Sequence, residues 1–394
     1  MTDTTRQRRA FVLVCDSLGV GELPDAKEWG DEGSDTLGHV LDREHPRLPN
    51  LERLGLLHTL ATPRSTVSPV SAWARMAEIS AGKDTTTGHW EMMGLVVHEP
   101  FRTYPNGFPD DLIREFESRI GRKTLGNKTA SGTVILDELG EQHMRTGAPI
   151  VYTSADSVFQ VAAHEEVIPI EEQWRICEIA RELMRGEHNI GRIIARPFVG
   201  PGTGRFTRTA RRKDFSVPPT GETVVERAHK AGRKVAAVGK IADIFDRVGI
   251  DLEIRSESNS DGMLKTIELA REGDASLIFT NLVDFDSKYG HRNDAYGYAK
   301  ALEKLDGEIP ALLGAMRPED LLFISADHGC DPTDVSTDHT REYVPLIIAG
   351  HSVRPGSLGT RTSFGDLGVT VAEYLSIGVE GFNGKSVLSQ VTGR

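Results

Sequence analysis

The chain alternates short, continuous apolar runs with longer segments whose apolar residues recur at helical spacing. Runs of the first kind are Arg9–Cys15, Lys234–Gly239, Leu277–Val283, Leu321–Ile324 and Val344–Ala349. A run of that length between polar residues reads as a strand buried on both faces. Amphipathic spacing predicts helices over Thr220–Ala231, Asp261–Glu272, Ala295–Met316 and Ser363–Ser376, with shorter ones at Ser34–Asp42 and Pro49–Leu57. Strands alternating with helices imply an α/β fold: a mostly parallel sheet covered by helices on both faces.

From Glu99 to Pro218 the texture differs. Asp110–Ile120 and Ile170–Arg185 read as helices, Pro149–Ala163 as a strand pair or one long bent strand, and Ile190–Val199 as a strand. A Gly-, Arg- and Pro-rich block follows and ends in Pro218–Pro219. With its own helices and strands, this segment reads as a smaller inserted α+β cap. The expected division is a core of residues 1–98 and 219–394 and a cap of residues 99–218.

At 394 residues the chain is long enough for two such domains. Its formal net charge of −12 argues against nucleic-acid or acidic-membrane binding. It leaves room for an anionic substrate, because a local arginine cluster outweighs the global field. The three cysteines form no framework, no leader is recognised, and no apolar run approaches the ~18 residues of a membrane span. A soluble, cytoplasmic protein is expected.

The candidate chemistry sits where the apolar runs stop. One run ends in Asp16, another in Asp284 and Asp286 with His291 shortly after, and a third in Asp327 and His328 with His339 downstream. Ligands in open α/β sheets bind outside the carboxyl ends of the strands. Three Asp/His clusters delivered to one such edge point to a two-metal centre. Carboxylate-plus-imidazole ligation suits manganese or zinc, whereas magnesium prefers more oxygen. Cys15 and Cys330 flank these residues but are set aside as ligands. Cys15 would face away from the side Asp16 faces, and Cys330 lies past the strand end. Asp284 competes with Asp286, and Asp331, Asp338 and His89 are candidates for orienting the ligands. Lys240 follows a buried strand at the same edge, where it can meet substrate.

In Ala81–Met93 three threonines follow an aspartate and precede Gly88, and the stretch after them is compatible with a helix. A hydroxyl at a helix N-terminus suits a phosphate, and a metal can make it a nucleophile. An ordinary threonine cap is the commoner explanation. Nothing in the spacing chooses among Thr85, Thr86 and Thr87. In the cap, Arg192, Arg196, Arg205, Arg208, Arg211 and Arg212 are candidates for an anion site, since the guanidinium fork meets phosphate bidentately.

The stretches CDSLGVGELPDA, GSDTLGH, GKDTTTGHWEMMG, GNKTASGTVILDELG, VYTSADSV, ARPFVG, FTRT, NLVDFDSKYGHR and ADHGCDPTDVSTDHTREYVPLI run through nearly the whole chain. Together they resemble the phosphopentomutase family of the alkaline phosphatase superfamily. The resemblance implies an alkaline-phosphatase-like core, two Mn2+ ions, and interconversion of ribose 1-phosphate with ribose 5-phosphate and of the deoxyribose pair. It implies Asp16, Asp327 and His328 on one metal, Asp286, His291 and His339 on the other, and Thr85 as the phosphorylated residue. Ser154, Asp156, Arg192 and Arg208 of the cap would hold the pentose phosphate, with Lys240 from the core. Priming by a sugar bisphosphate of the glucose 1,6-bisphosphate type, a sugar 1,5-bisphosphate intermediate, and a cap that keeps water from the phosphothreonine are also implied. Pentose phosphates are the expected partners of a monomer. Two positions depart from the family pattern: Cys330 stands where Asn is expected, and Thr86 where a bulkier residue is. Neither removes a ligand or the nucleophile, though Thr86 puts a spare hydroxyl beside Thr85. Two rivals remain at this point. One is a metal-dependent phosphatase or phosphoglycerate mutase on the same core, which predicts a cap without YTSADS and FTRT. The other is a non-catalytic sugar-phosphate binder, against which the full ligand set and Thr85 count.

Overall fold

The computed structural model describes residues 8–154 and 157–392, apart from the Glu187 side chain. In chain order its strands are β1 (Ala10–Cys15), β2 (Ala72–Met76), β3 (Leu125–Thr129), β4 (Ile150–Thr153), β5 (Val158–His164), β6 (Arg192–Val199), β7 (Thr207–Arg208), β8 (Lys213–Ser216), β9 (Val235–Val238), β10 (Leu252–Ile254), β11 (Leu277–Leu282), β12 (Leu321–Ser325), β13 (Val344–Ala349) and β14 (Gly356–Arg361). The chain divides into two units, Met1–Glu99 with Pro219–Arg394, and Pro100–Pro218.

The first unit is built on an eight-stranded sheet ordered β10-β9-β11-β1-β12-β13-β2-β14. All neighbours run parallel except β13, which opposes both β12 and β2. Every residue of β1, β9, β11, β12 and β13 is buried. That is why these strands read as unbroken apolar runs rather than alternating ones. Two sets of helices cover the sheet. Thr36–Glu44, Pro49–Arg53, Asn259–Glu272 and Ala295–Ala315 pack among themselves on one face. Thr85–Met92, Val224–Lys230, Ile241–Ile244 and Gly365–Leu375 do so on the other. Helix starts are capped by side chains: Asp35 accepts from Gly38 N, Thr223 from Glu226 N, Ser258 from Asp261 N and Asp294 from Gly297 N.

Strand direction decides where the chemistry falls. β1, β9, β11, β12 and β2 all end at the same edge. Because β13 runs the other way, Leu346 lies opposite Ser325, so β13 begins where β12 ends. Both ends of the 326–343 segment therefore lie at that edge. β2 pairs its last residue, Met76, with Val344, so the segment leading to Thr85 starts there too. At the opposite edge the buried Arg9 donates to both carboxylate oxygens of Asp320, tying the starts of β1 and β12.

The second unit has a mixed sheet, β3-β4-β5-β6-β7, with β8 also pairing β6. Helices Asp110–Ile120 and Ile170–Leu183 build a core on one face around Phe116, Phe159, Val161, Ile176 and Ile193. Helix Val134–Thr146 joins Ile150, Tyr152, Ala162 and Phe198 in a second cluster.

Several elements differ from the sequence expectation for local reasons. β10, β14 and β3 are half-exposed edge strands, so they lack an apolar run. The helix expected over Pro49–Leu57 stops at Arg53, since Gly55 takes φ +94° before a 3₁₀ turn at Leu56–His58. Among the described residues no helix is long and apolar enough to cross a membrane.

Candidate metal centre and active site

Asp16 follows β1, and Asp327 and His328 follow β12, two strands in parallel register. All three side chains are fully buried, with Asp16 Oδ1 and Asp327 Oδ2 at 3.5 and 3.3 Å from His328 Nε2. Asp286 is presented by a single π-helical turn, Phe285–Tyr289, and His291 by the 3₁₀ turn after it. His339 precedes β13. Asp286 Oδ2 lies 3.4 Å from His291 Nε2, and its Oδ1 lies 3.3 Å from His339 Nε2. The two imidazole nitrogens are 3.2 Å apart. His328 stacks on His339 at 3.8 Å between ring centroids, so its ring stands between the two groups. The structure thus brings all six of these residues together, as two ligand groups that meet at His328.

Electrostatics favours cations here. Burial, then the Asp327 and Asp286 charges, push the Asp16 carboxyl up to about 7. Burial also acts against the charged forms of Asp327 and Asp286, but neighbouring imidazoles hold both below the usual carboxylate range: His328 and His89 for Asp327, His339 and His291 for Asp286. Asp16 Oδ1, Asp286 Oδ1 and Asp327 Oδ2 are buried without a hydrogen-bond partner. Orphaned buried oxygens are costly unless something positive meets them. This donor set of carboxylate oxygens and imidazole nitrogens fits a pair of divalent metals.

The imidazoles are oriented by main-chain oxygens. Nδ1–H of His328 donates to Gly329 O at 3.0 Å, of His339 to Lys83 O at 3.0 Å, and of His291 to Thr337 O at 2.7 Å. This fixes the tautomer and leaves each Nε2 free to ligate. Asp331 and Asp338 were candidates for that task and do something else. Asp331 pairs with His39, and Asp338 accepts the His339 backbone N–H. Asp284 is occupied by Asn259 N and Lys288, so it does not compete with Asp286. His89 does lie beside the centre: its Nδ1 is 2.8 Å from Thr85 O and 3.1 Å from Asp327 Oδ2. Asn281, which the sequence reading missed, donates to Asp16 Oδ2 at 2.9 Å and reaches His89 Nε2 at 3.3 Å. A polar residue inside the apolar β11 run was the available signal. Cys330 sits closer to the centre than expected, its sulfur grouped with Asp286 and His291. Burial, then the Asp286 and Asp338 charges, raise its thiol well above the usual range.

The threonines separate by geometry. Asp84 caps the helix Thr85–Met92 by accepting from Thr86 N and Thr87 N, and it also accepts from Thr87 Oγ1 at 2.5 Å. Thr85 Oγ1 instead lies 3.3 Å from His328 Nε2, at the free N-terminal end of the helix. Lys240 starts the helix after β9, and its charge lowers the Asp16 carboxyl's affinity for protons.

In the second unit, Ser154 follows β4, Arg192 opens β6 with Nη1 3.8 Å from Asp214 Oδ2, and Arg208 is exposed on β7. Asp156 lies outside the described residues. Arg196, held by Gln160 Oε1 at 3.0 Å, is lowered to about 10 by burial and then by Arg212.

A family model described as the Metalloenzyme superfamily matches residues 8–378. The chain is 55% identical over 376 residues to the phosphopentomutase of Caldanaerobacter subterraneus subsp. tengcongensis, covering 94% of this chain and 95% of that one. It is 52% identical over 388 residues to the phosphopentomutase of Acetivibrio thermocellus, covering 98% and 100%. Among solved structures, a Pyrococcus horikoshii protein matches with a TM-score of 0.52 at 16% identity, over 94% of this chain and 98% of that one. The last likeness speaks to fold alone.

Proposed function

The chain belongs to the phosphopentomutase family within the metalloenzyme superfamily, and we propose that its isomerase chemistry runs through a phosphorylated Thr85 between two divalent metals. The reaction is the interconversion of ribose 1-phosphate and ribose 5-phosphate, and of the deoxyribose pair. The observation that carries this reading is the Thr85 hydroxyl, 3.3 Å from His328 Nε2, the imidazole at which the two ligand groups meet.

Asp16, Asp327 and His328 would hold one metal, and Asp286, His291 and His339 the other; we assign manganese to both. When bound, such a pair stabilises charge on the oxygens entering and leaving phosphorus and lowers the pKa of a nearby hydroxyl. Thr85 is charged once by a sugar bisphosphate of the glucose 1,6-bisphosphate type. Phospho-Thr85 then gives its phosphoryl group to the 5-hydroxyl of ribose 1-phosphate. The P–Oγ1 bond breaks as a P–O5 bond forms, and the proton lost by the 5-hydroxyl ends on the departing Thr85 Oγ1. Ribose 1,5-bisphosphate results; its P–O1 bond then breaks as a P–Oγ1 bond re-forms, the Thr85 hydroxyl proton passes to O1, and ribose 5-phosphate is left. Ser154, Asp156, Arg192 and Arg208 would bind the pentose phosphate, with Lys240 contributing from the core.

The test is a turnover assay with ribose 1-phosphate, manganese and a bisphosphate primer, with mass spectrometry of the protein. Ribose 5-phosphate and one phosphate on Thr85 are expected. Release of inorganic phosphate without ribose 5-phosphate would assign a phosphatase instead.

A further inference from the structure

Arg341 lies two residues past His339, and no step above uses it. Its side chain is only 4% exposed. Nη1 donates to Glu78 Oε2 at 2.8 Å, to Ser80 O at 2.9 Å and to Gly82 O. Nη2 donates to Glu78 O at 3.2 Å and Asp25 Oδ2 at 3.1 Å, and Nε to the same Asp25 carboxylate. The Trp29 ring lies 5.2 Å from the guanidinium carbon. Three main-chain carbonyls from alternate residues of one loop thus converge on a single side chain.

The amides of that loop face the other way. Ile79 N and Ser80 N donate to the buried Glu91 carboxylate, which sits on the same helix as Thr85. Lys83 O accepts from His339 Nδ1, and Lys83 Nζ pairs with Asp31, which also accepts the Arg341 backbone N–H. Loop 78–83 is therefore held between Glu91, on the Thr85 helix, and Arg341, on the His339 segment. The planar guanidinium suits this task, since its five donors point in fixed directions, whereas a lysine ammonium is a single point of charge.

We infer that Arg341 is a positioning residue, holding the loop before Thr85 in register with His339 and so setting the Thr85 hydroxyl against the ligand imidazoles. The inference rests on the reading of Thr85 as phosphoryl carrier. It locates the role in kcat rather than in sugar binding.

The test uses full-length Arg341→Ala and Arg341→Lys, with thermal melting and metal stoichiometry measured alongside kinetics. In both variants kcat should fall about 100-fold, the scale of an ångström-sized misplacement, while KM for ribose 1-phosphate stays within about twofold. Both should still bind two metals. Added methylguanidinium should restore kcat in Arg341→Ala and not in Arg341→Lys; the fall in kcat at unchanged KM and metal content is the response that a merely structural role would not give. Hydrogen exchange at residues 79–83 should quicken in both variants. Unchanged kcat with unchanged exchange overturns the proposal, as does a loss confined to KM or accompanied by loss of metal. If neither variant folds, Arg341 is a core ion-pair residue and the proposal falls. A wild-type protein that makes no ribose 5-phosphate refutes the parent reaction instead, and the exchange measurement then decides the positioning role alone.

Discussion

Gly88 offers a test of how closely the Thr85 helix must approach the metal edge. It is the fourth residue of Thr85–Met92, and a Cβ built there would lie 2.0 Å from Asp327 O and 2.8 Å from Asp327 C. Both are main-chain atoms next to a proposed ligand and cannot rotate away. Contacts below 3.0 Å are essentially never seen, so Gly88→Ala forces the helix back by about 1 Å. Helix propensity alone would make this substitution favourable by ~1 kcal/mol. Overpacking of a tight interface costs ~1–3 kcal/mol, so the net effect on stability is small and destabilising. The effect on rate is larger. Thr85 Oγ1 moves with its helix away from His328, and a displacement of about 1 Å costs about 100-fold in kcat. The assay is kcat for ribose 1-phosphate turnover beside a thermal melt of the same preparation. A variant with full kcat and a raised Tm would refute the reasoning, because propensity would have won and the approach would not be tight.

Asp327→Ala should lower turnover by more than about 1,000-fold, the scale of losing several kcal/mol of charge stabilisation, while the protein stays folded by circular dichroism. Unchanged activity would remove Asp327 from the ligand set. Chelation should lower Tm, and manganese at 100 times its Kd should restore about 2.7 kcal/mol per site; a melt insensitive to metal would contradict the two-metal reading. Asp320→Ala leaves the buried Arg9 without a carboxylate, held only by the Leu269, Ala270 and Gly273 carbonyls, and should cost about 3 kcal/mol in denaturant unfolding. A cost below 1 kcal/mol would mean that Arg9 finds water. Arg208→Ala should raise KM for ribose 1-phosphate with little change in kcat, and an unaffected KM would remove Arg208 from the site.

The central strands are legible in the sequence because burial on both faces makes each an apolar run, and because acidic residues stand at or within a few residues of the end of three of them. Asp16, Asp286 and Asp327 stand out for that reason. His339 is harder to place from sequence, since its position depends on β13 running antiparallel, which no local pattern reveals. The choice among Thr85, Thr86 and Thr87 is likewise tertiary. All three are compatible with a helix start, and only the orientation of Asp84 and His328 separates them. Arg341 and Glu342 read as ordinary charged residues of a loop, yet both are buried. Their partners, Glu78 and Thr36 among them, are far away in the chain. The edge strands β3, β10 and β14 escape notice because half-exposed strands need little hydrophobicity.

The anchors behind His291, His328 and His339 are carbonyls of the peptide backbone. Every amino acid at positions 83 and 337 carries the same oxygen, so replacing the side chain there leaves the anchor itself intact, whereas a Cβ at Gly329 would lie 2.3 Å from Glu342 Oε1 and shift the chain. Proton placement on these rings is in that sense insulated from mutational drift. Changing it requires moving the chain or replacing a histidine outright, so ring orientation here should outlast considerable divergence in the neighbouring loops.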